Sequence, residues 1–223
     1  VKFLPMGNTG NQMGGWFNKE MNTADDYKGL KMRMPGLGGR TIGKLGATAV
    51  LMGGPDILTS LASGAIDAAE WICPVADLGL GMHQAAKFYY GPGWHEPSTL
   101  LDLSIDLKEW EGLDADTQAL MMEMAKAFNV DVFSRFQALN GPALGKLLNE
   151  HGVQLKTFPD ELLIALGNAA GEVMEERGSI DSQTKAICNH ILSFRKNIMD
   201  WSTKGESEFA RIRNLPFKFP DSV

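Results

Sequence analysis

The chain has 223 residues, of which 44% are apolar, with a formal net charge of −6 and two cysteines. That much apolar material can bury a real core, as one domain or as two small lobes. The acidic balance and the scattered Lys and Arg exclude an obvious nucleic-acid face, and no run of about 18 apolar residues is available to span a bilayer.

Val1 to Pro5 reads as a short strand. It leads into a glycine-rich loop, Gly7-Asn8-Thr9-Gly10-Asn11-Gln12-Met13-Gly14-Gly15-Trp16-Phe17, which carries one amide side chain and one aromatic. Thr23 is an N-cap with Asp26 three residues on, and Gly29 ends that short helix. Lys31 to Met34 is the next strand, with Arg33 on the face opposite Met32 and Met34. A helix over Gly38 to Leu45 follows, and then a strand over Ala47 to Met52. Pro55 to Ala62 is helical, with Pro at its start and Gly64 past its end. Ala65 to Trp71 is another strand and ends in Glu70 beside an indole. This β-α-β-α-β alternation predicts a mainly parallel sheet with right-handed crossovers.

The aromatic stretch Phe88-Tyr89-Tyr90-Gly91-Pro92-Gly93-Trp94-His95-Glu96 reads as a loop, either a packing corner or part of a cleft. From Asp114 to His151 apolar residues recur at three or four, which predicts helix, with a bend or an interruption at Gly141-Pro142. Gln154 to Phe158 returns to strand. Pro159 to Trp201 is helix-rich and breaks near Gly178-Ser179. Gly205 to Val223, with Pro216 and Pro220, reads as a loose tail. Cys73 and Cys188 fit two buried thiols better than a bridge, since neither sits in a close Cys pair.

Taken residue by residue, Arg33 is either an ordinary salt-bridge residue or a partly buried guanidinium that needs an anionic partner. Gln12 either makes turn hydrogen bonds or offers an oxygen to a ligand. Glu70 is either a solvated strand end or a cation ligand, with Trp71 packing on the core or walling a pocket. Asn8 either shapes its turn or reaches a ligand. Asp67 reads as structural. His83, His151 and His190 lack a matched partner at zinc spacing. Ser60, Ser63 and Cys73 lack a nucleophile-elbow context, and no G-x-G-x-x-G run is present.

Three motifs in this order, Gly7 to Phe17, Gly29-Leu30-Lys31-Met32-Arg33-Met34-Pro35-Gly36, and Gly64-Ala65-Ile66-Asp67-Ala68-Ala69-Glu70-Trp71, closely resemble the solute-binding subunits of TRAP transporters. These are the DctP-like periplasmic proteins that deliver organic acids to a membrane permease. The resemblance runs from about Val1 to about Trp201. It implies an α/β, type II periplasmic-binding-protein-like fold: a parallel-sheet lobe with long C-terminal helices and an incomplete first lobe, because family members carry a long segment before the strand that starts here. The implied division is 1–70 for an α/β lobe of the cleft, 71–113 for a segment crossing to the other lobe, 114–204 for a helix-rich region packing the lobes, and 205–223 for a tail.

The same resemblance implies that Arg33 clamps a substrate carboxylate, with Gln12, Asn8, Trp71 and Trp94 around it. It implies a cation, Na⁺ or Ca²⁺, held by Gln12, Glu70, the Trp71 carbonyl and Glu96, and no organic cofactor. His95 stands where relatives often have another aromatic, and Leu58 where they often carry a pocket aromatic. The expected partners are a small 2-oxo, hydroxy or dicarboxylic acid, TRAP membrane permease subunits and a second copy of the chain, with no nucleic acid. The expected location is the periplasm. Two competing readings are an enzyme using Glu70 and Glu96 as an acid–base pair and a helical interaction module built on the C-terminal half.

Overall fold

A computed structural model describes residues 1–218. The chain divides into two compact units, Val1–Ala170 and Gly171–Val223.

In chain order the first unit holds β1 Lys2–Asn8, β2 Gly15–Phe17, a 3₁₀ turn at Ala24–Tyr27, β3 Lys31–Arg33, α1 Gly36–Lys44, β4 Thr48–Val50, α2 Gly54–Ala62, β5 Ala68–Ala69 and α3 Pro74–Leu80. It continues with β6 Phe88–Gly91, β7 Leu100–Ile105, α4 Leu107–Glu111, α5 Ala115–Asn149, β8 Gln154–Thr157 and most of α6 Asp160–Gly178. Among the described residues the strands form a two-stranded sheet, β1–β7, and a six-stranded sheet in the order β4-β3-β5-β2-β6-β8.

The expectation of parallel pairing holds for β3 with β4 and β5, and β6 and β8 are parallel as well. It fails at β2, which runs antiparallel to both β5 and β6. The sequence places Gly15–Phe17 in a glycine-rich loop. It is a central strand, buried on both faces, and sheet position decided its conformation. The aromatic stretch is corrected likewise. Phe88–Gly91 is a strand of the sheet rather than a loop, and only the residues after Gly91 leave it.

Adjacent residues of β2 and β6 feed opposite faces of the sheet, as the pleat demands. Phe17 and Tyr90 join Met32, Phe158, Leu162 and Leu166 in one core. Trp16 and Tyr89 join Ile57, Leu61, Ile66 and Leu147 in the other. Phe17 meets Tyr90 and Phe158 edge-on, while Trp16 stacks on Tyr89 with ring centroids 4.1 Å apart. A third, smaller core of Leu4, Trp110 and Ala125 lies under the β1–β7 pair.

Of the bend or interruption expected at Gly141-Pro142, the interruption does not occur: α5 is continuous through Pro142. Proline costs that helix a hydrogen bond, but packing holds both flanks. Leu147 is fully buried in the second core, and Asn140 Oδ1 accepts the Val75 N–H at 3.2 Å. Thr23 and Asp26 form the expected capping box. Asp67 is structural, since its carboxylate accepts the Lys31 N–H at 2.8 Å. Cys73 and Cys188 are buried free thiols.

The second unit contains the end of α6, α7 Ser182–Ser202, a π-helical turn Thr203–Ser207 and α8 Glu208–Arg213. The expected loose tail from Gly205 is therefore helical as far as Arg213, because the spacing Glu208–Arg211 supplies an ion pair within one turn. Pro220 lies outside the described residues. Among the described residues no helix is long and apolar enough to cross a membrane.

Asp77 is the buried acid that knits α3 to the sheet. Its carboxylate accepts Trp16 Nε1–H at 2.9 Å, the Tyr89 hydroxyl at 2.7 Å and the Ile72 N–H at 3.1 Å. Burial nonetheless pushes its pKa from 3.8 up to about 6. The folded protein therefore holds this proton more tightly than the unfolded chain, and stability falls as pH rises from about 4 to about 6. Asp77→Asn removes that ionisation. Urea unfolding from pH 4 to 7 should find the variant gaining on the wild type by about 3 kcal/mol across the window; a difference independent of pH would mean the acid is not held neutral by burial.

Candidate functional site

The site forms where β3 and β5, parallel neighbours, both end. Open α/β sheets bind ligands at these carboxyl ends. Arg33 pairs with Ala69 in the ladder, so its side chain emerges beside Glu70. Arg33 Nη1 donates to Glu70 Oε2 at 2.8 Å and to the Glu70 carbonyl at 2.7 Å, and Arg33 Nε points at the Met52 carbonyl at 3.4 Å. The pair is nearly dry, with Arg33 7% and Glu70 1% exposed. The Trp71 ring lies beneath the guanidinium, 5.0 Å from Cζ to the centroid. Trp71 is held there by the N-terminus of α2. A Cβ on Gly54 would sit 3.0 Å from the indole, a contact tight enough that the ring would have to shift by a few tenths of an ångström.

Gln12 enters from the loop after β1. Its Nε2 donates to Thr9 Oγ1 at 3.1 Å and to Thr99 Oγ1 at 2.7 Å. Both hydroxyl protons are already committed, Thr9 to the Gly10 carbonyl and Thr99 to Glu96 Oε1. Each hydroxyl can therefore only accept from Gln12, and this orients the amide. Gln12 Oε1 is consequently turned away from them, buried and, among the described residues, without a hydrogen-bond partner. The backbone is pinned as well, because Gly93 N–H donates to the Gln12 carbonyl at 2.8 Å. A Cβ on Gly93 would sit 2.8 Å from that same oxygen.

Glu96 and His95 complete the group. One ligand atom each from Glu70, His95 and Glu96 lies within 4.8 Å of the other two. His95 Nε2 is 3.6 Å from Glu70 Oε1, and the imidazole is 3% exposed. Two carboxylates, an unpartnered amide oxygen and a ring nitrogen beside a guanidinium make a place for a cation and an anion together.

Of the residues singled out in the sequence, Arg33, Glu70, Trp71, Gln12 and Glu96 come together here. Asn8 does not share in these contacts; its Oδ1 accepts the Gly10 N–H at 2.7 Å and shapes the turn. Trp94 packs against the first core on its Tyr27 side and meets His95 edge-on at 5.3 Å. Leu58 lies beside Gly81 at the end of α3. The sequence reading missed Thr9 and Thr99. Their only signal was the three-residue spacing to Gln12 and from Glu96, which any turn could share.

A family model described as bacterial extracellular solute-binding protein, family 7 (DctP), matches residues 2–179. The chain belongs to this family. It is 40% identical over 206 residues to a monocarboxylate 2-oxoacid-binding periplasmic protein of Nostoc sp., covering 92% of this chain and 56% of that protein. A TRAP periplasmic solute-binding protein of Pseudoalteromonas atlantica, solved with bound sodium and pyruvate, superposes with a TM-score of 0.89 at 35% identity. That match covers 97% of this chain and 64% of the other. A TRAP solute-binding protein of Bordetella bronchiseptica, a mixed-occupancy dimer with copurified calcium and picolinate, superposes with a TM-score of 0.90 at 33% identity, covering 95% and 62%. The fold is that of TRAP periplasmic solute-binding proteins, and the chain spans less than two thirds of the length of each of these relatives. Solute-binding subunits of transporters are not a class of enzymes.

Thr99 links the two halves of the site, so Thr99→Val should loosen both Gln12 and Glu96 while keeping the side chain's shape. The hydrogen-bond loss should cost about 1 kcal/mol of stability. Cation affinity should fall by roughly tenfold or more, as for other residues that orient metal ligands. Calorimetric Ca²⁺ titration alongside urea unfolding measures both, and unchanged Ca²⁺ affinity would separate Gln12 and Glu96 from any ion site.

Proposed function

We propose that this chain is the ligand-capturing part of an extracytoplasmic TRAP solute-binding protein that takes a small 2-oxo, hydroxy or dicarboxylic acid together with a cation and hands it to a membrane permease. The observation that carries this reading is the buried Arg33–Glu70 pair with an unpartnered Gln12 oxygen and Glu96 close by. Arg33 Nη2 takes no part in the contacts to Glu70 and Met52 and is the donor assigned to the acid. Glu70 divides its work, with Oε2 on Arg33 and Oε1 toward the cation. Gln12 Oε1, Glu96 and the Trp71 carbonyl are the further oxygens assigned to it.

The acids named for the relatives support this chemistry. Pyruvate and picolinate each place a second lone pair, on a keto oxygen or a ring nitrogen, one bond from the carbon that bears the carboxylate. Either can close a five-membered ring on a hard cation. An acid of this kind would bridge guanidinium and ion. Burying the Arg33 charge is costly without an anion, and the acid would share that role with Glu70.

This reading includes binding without turnover, a periplasmic location and self-association through the apolar residues that α5 leaves exposed, Leu120, Met124 and Phe128 among them. A dimer covers such surface, and one relative is named as a dimer. Sedimentation of the 223-residue chain should give a dimer or larger species at micromolar concentration; a monomer at every concentration would remove self-association.

Thermal shift with pyruvate and malonate, with and without Na⁺ or Ca²⁺, tests the binding itself, because a ligand stabilises the native state by mass action. The acid should raise Tm, more so with the cation, and be recovered unchanged. Arg33→Lys keeps the charge but loses the two-donor fork. Its acid affinity should drop by about tenfold to a hundredfold, the equivalent of a charge-assisted contact of roughly 1.5–3 kcal/mol. Glu70→Gln should abolish the cation dependence. Full affinity in Arg33→Lys would disqualify the guanidinium as the clamp.

A further inference from the structure

The chain leaves the sheet just after Glu70. Glu70 N–H still donates to the Arg33 carbonyl at 3.0 Å, and α3 begins only at Pro74. Residues Trp71 to Cys73 have neither strand nor helix to hold them, so their backbone groups need other partners. Ile72 has two. Its N–H donates to Asp77 Oδ1 at 3.1 Å, and its carbonyl accepts the Met13 N–H at 2.9 Å. Asp77 is 1% exposed, and its other oxygen, Oδ2, accepts Trp16 Nε1–H at 2.9 Å and the Tyr89 hydroxyl at 2.7 Å. One carboxylate thus grips β2, β6 and the link between β5 and α3. A buried carboxylate is costly to desolvate, and plain packing of α3 on the sheet does not call for one. What it adds is a fixed direction for the Ile72 N–H.

Resting on the function proposed above, we infer that Asp77 is a positioning residue for the bound acid: without touching it, this carboxylate sets the Trp71–Ile72 peptide and, through Ile72, the Gln12 loop. Peptide geometry gives the direction. The Trp71–Ile72 peptide is trans, so its N–H and C=O point opposite ways. The bond to Asp77 therefore turns the Trp71 carbonyl away from α3. It also fixes the backbone that carries the indole beneath Arg33, 5.0 Å from Cζ to the centroid. The Ile72 carbonyl in turn holds Met13, next to Gln12, whose own carbonyl accepts the Gly93 N–H at 2.8 Å. Trp71 and Gln12 are thus both referred to one buried acid. Groups held in this way before the ligand arrives have little freedom left to lose on binding.

The test is calorimetric titration of the 223-residue chain with pyruvate in saturating Ca²⁺. It is run at pH 7.5, where Asp77, its pKa pushed up to about 6 by burial, is ionised. Asp77→Asn keeps the volume but leaves one oxygen for three donors. Trp16 and Tyr89 share one side of the group, so the oxygen faces them and the new NH₂ meets the Ile72 N–H. Pyruvate affinity should fall by roughly tenfold or more, as for other residues that orient ligand groups without touching the ligand. Tyr89→Phe removes one donor from the same carboxylate and keeps the Ile72 bond. It should lose stability toward urea yet hold pyruvate affinity within about twofold, which a merely structural role for Asp77 would not allow. Circular dichroism at the titration temperature confirms that each variant is folded. Asp77→Ala, which frees all three donors, should lose at least as much affinity as Asp77→Asn. Equal affinity in the wild type and Asp77→Asn overturns the positioning role and leaves the acid-binding reading standing. An equal loss in Asp77→Asn and Tyr89→Phe does the same, because that pattern belongs to a general loosening of the core. A wild type that binds neither pyruvate nor malonate overturns both.

Discussion

A guanidinium and a carboxylate 2.8 Å apart, almost wholly out of water, constrain everything around them. Each charge alone would cost several kcal/mol to desolvate. The chain offsets this with a carbonyl from Glu70, another from Met52 and the face of Trp71. Together with Arg33 itself, those partners come from the ends of three strands consecutive in the chain, β3, β4 and β5. The parallel register that sets Arg33 beside Ala69 is therefore also what sets the charge of the site. Without the ladder, neither charge would have a reason to be buried.

Around that pair the polar groups are ordered by committed protons. Thr9 and Thr99 give their hydroxyl protons to Gly10 and Glu96, so Gln12 can meet them only with its amide nitrogen. Its oxygen is left over, buried and without a hydrogen-bond partner among the described residues. Hydrogen-bond networks of this sort hold side chains in one arrangement, which lowers the ordering cost of any binding they serve. His95 lies buried beside the same group, its Nε2 3.6 Å from Glu70 Oε1.

The frame is stiffened from the far side of the sheet. Asp77 ties α3 to Trp16 and Tyr89, two residues whose immediate neighbours Phe17 and Tyr90 face the opposite core. A short strand buried on both faces has no freedom to slip, because a one-residue shift would exchange the two cores. Glycine at 54 and 93 permits close approach to the Trp71 ring and to the Gln12 backbone.

Local chemistry made several elements legible in the sequence. The alternation about Arg33, the Pro and Gly that bound α2, the Thr23–Asp26 capping box and the helical spacing after Asp114 depend on neighbours within a few residues, and the structure has them all. The glycine-rich, Arg-centred and Glu-Trp motifs likewise carried the family. Tertiary structure decided what depended on distant partners. Gly15–Phe17 and Phe88–Gly91 became central strands because the sheet had places for them, and Pro142 stayed helical because Asn140 and Leu147 were anchored on either side. The same holds within the site. The sequence by itself determined that an arginine, two glutamates and a glutamine were present on strand ends and loops. Only the fold decided that Thr99, far along the chain, would turn the Gln12 oxygen free, and that His95 would be buried beside Glu70 with both nitrogens unpaired. Proton commitments and burial belong to groups brought together across the sheet, and no local pattern encodes them.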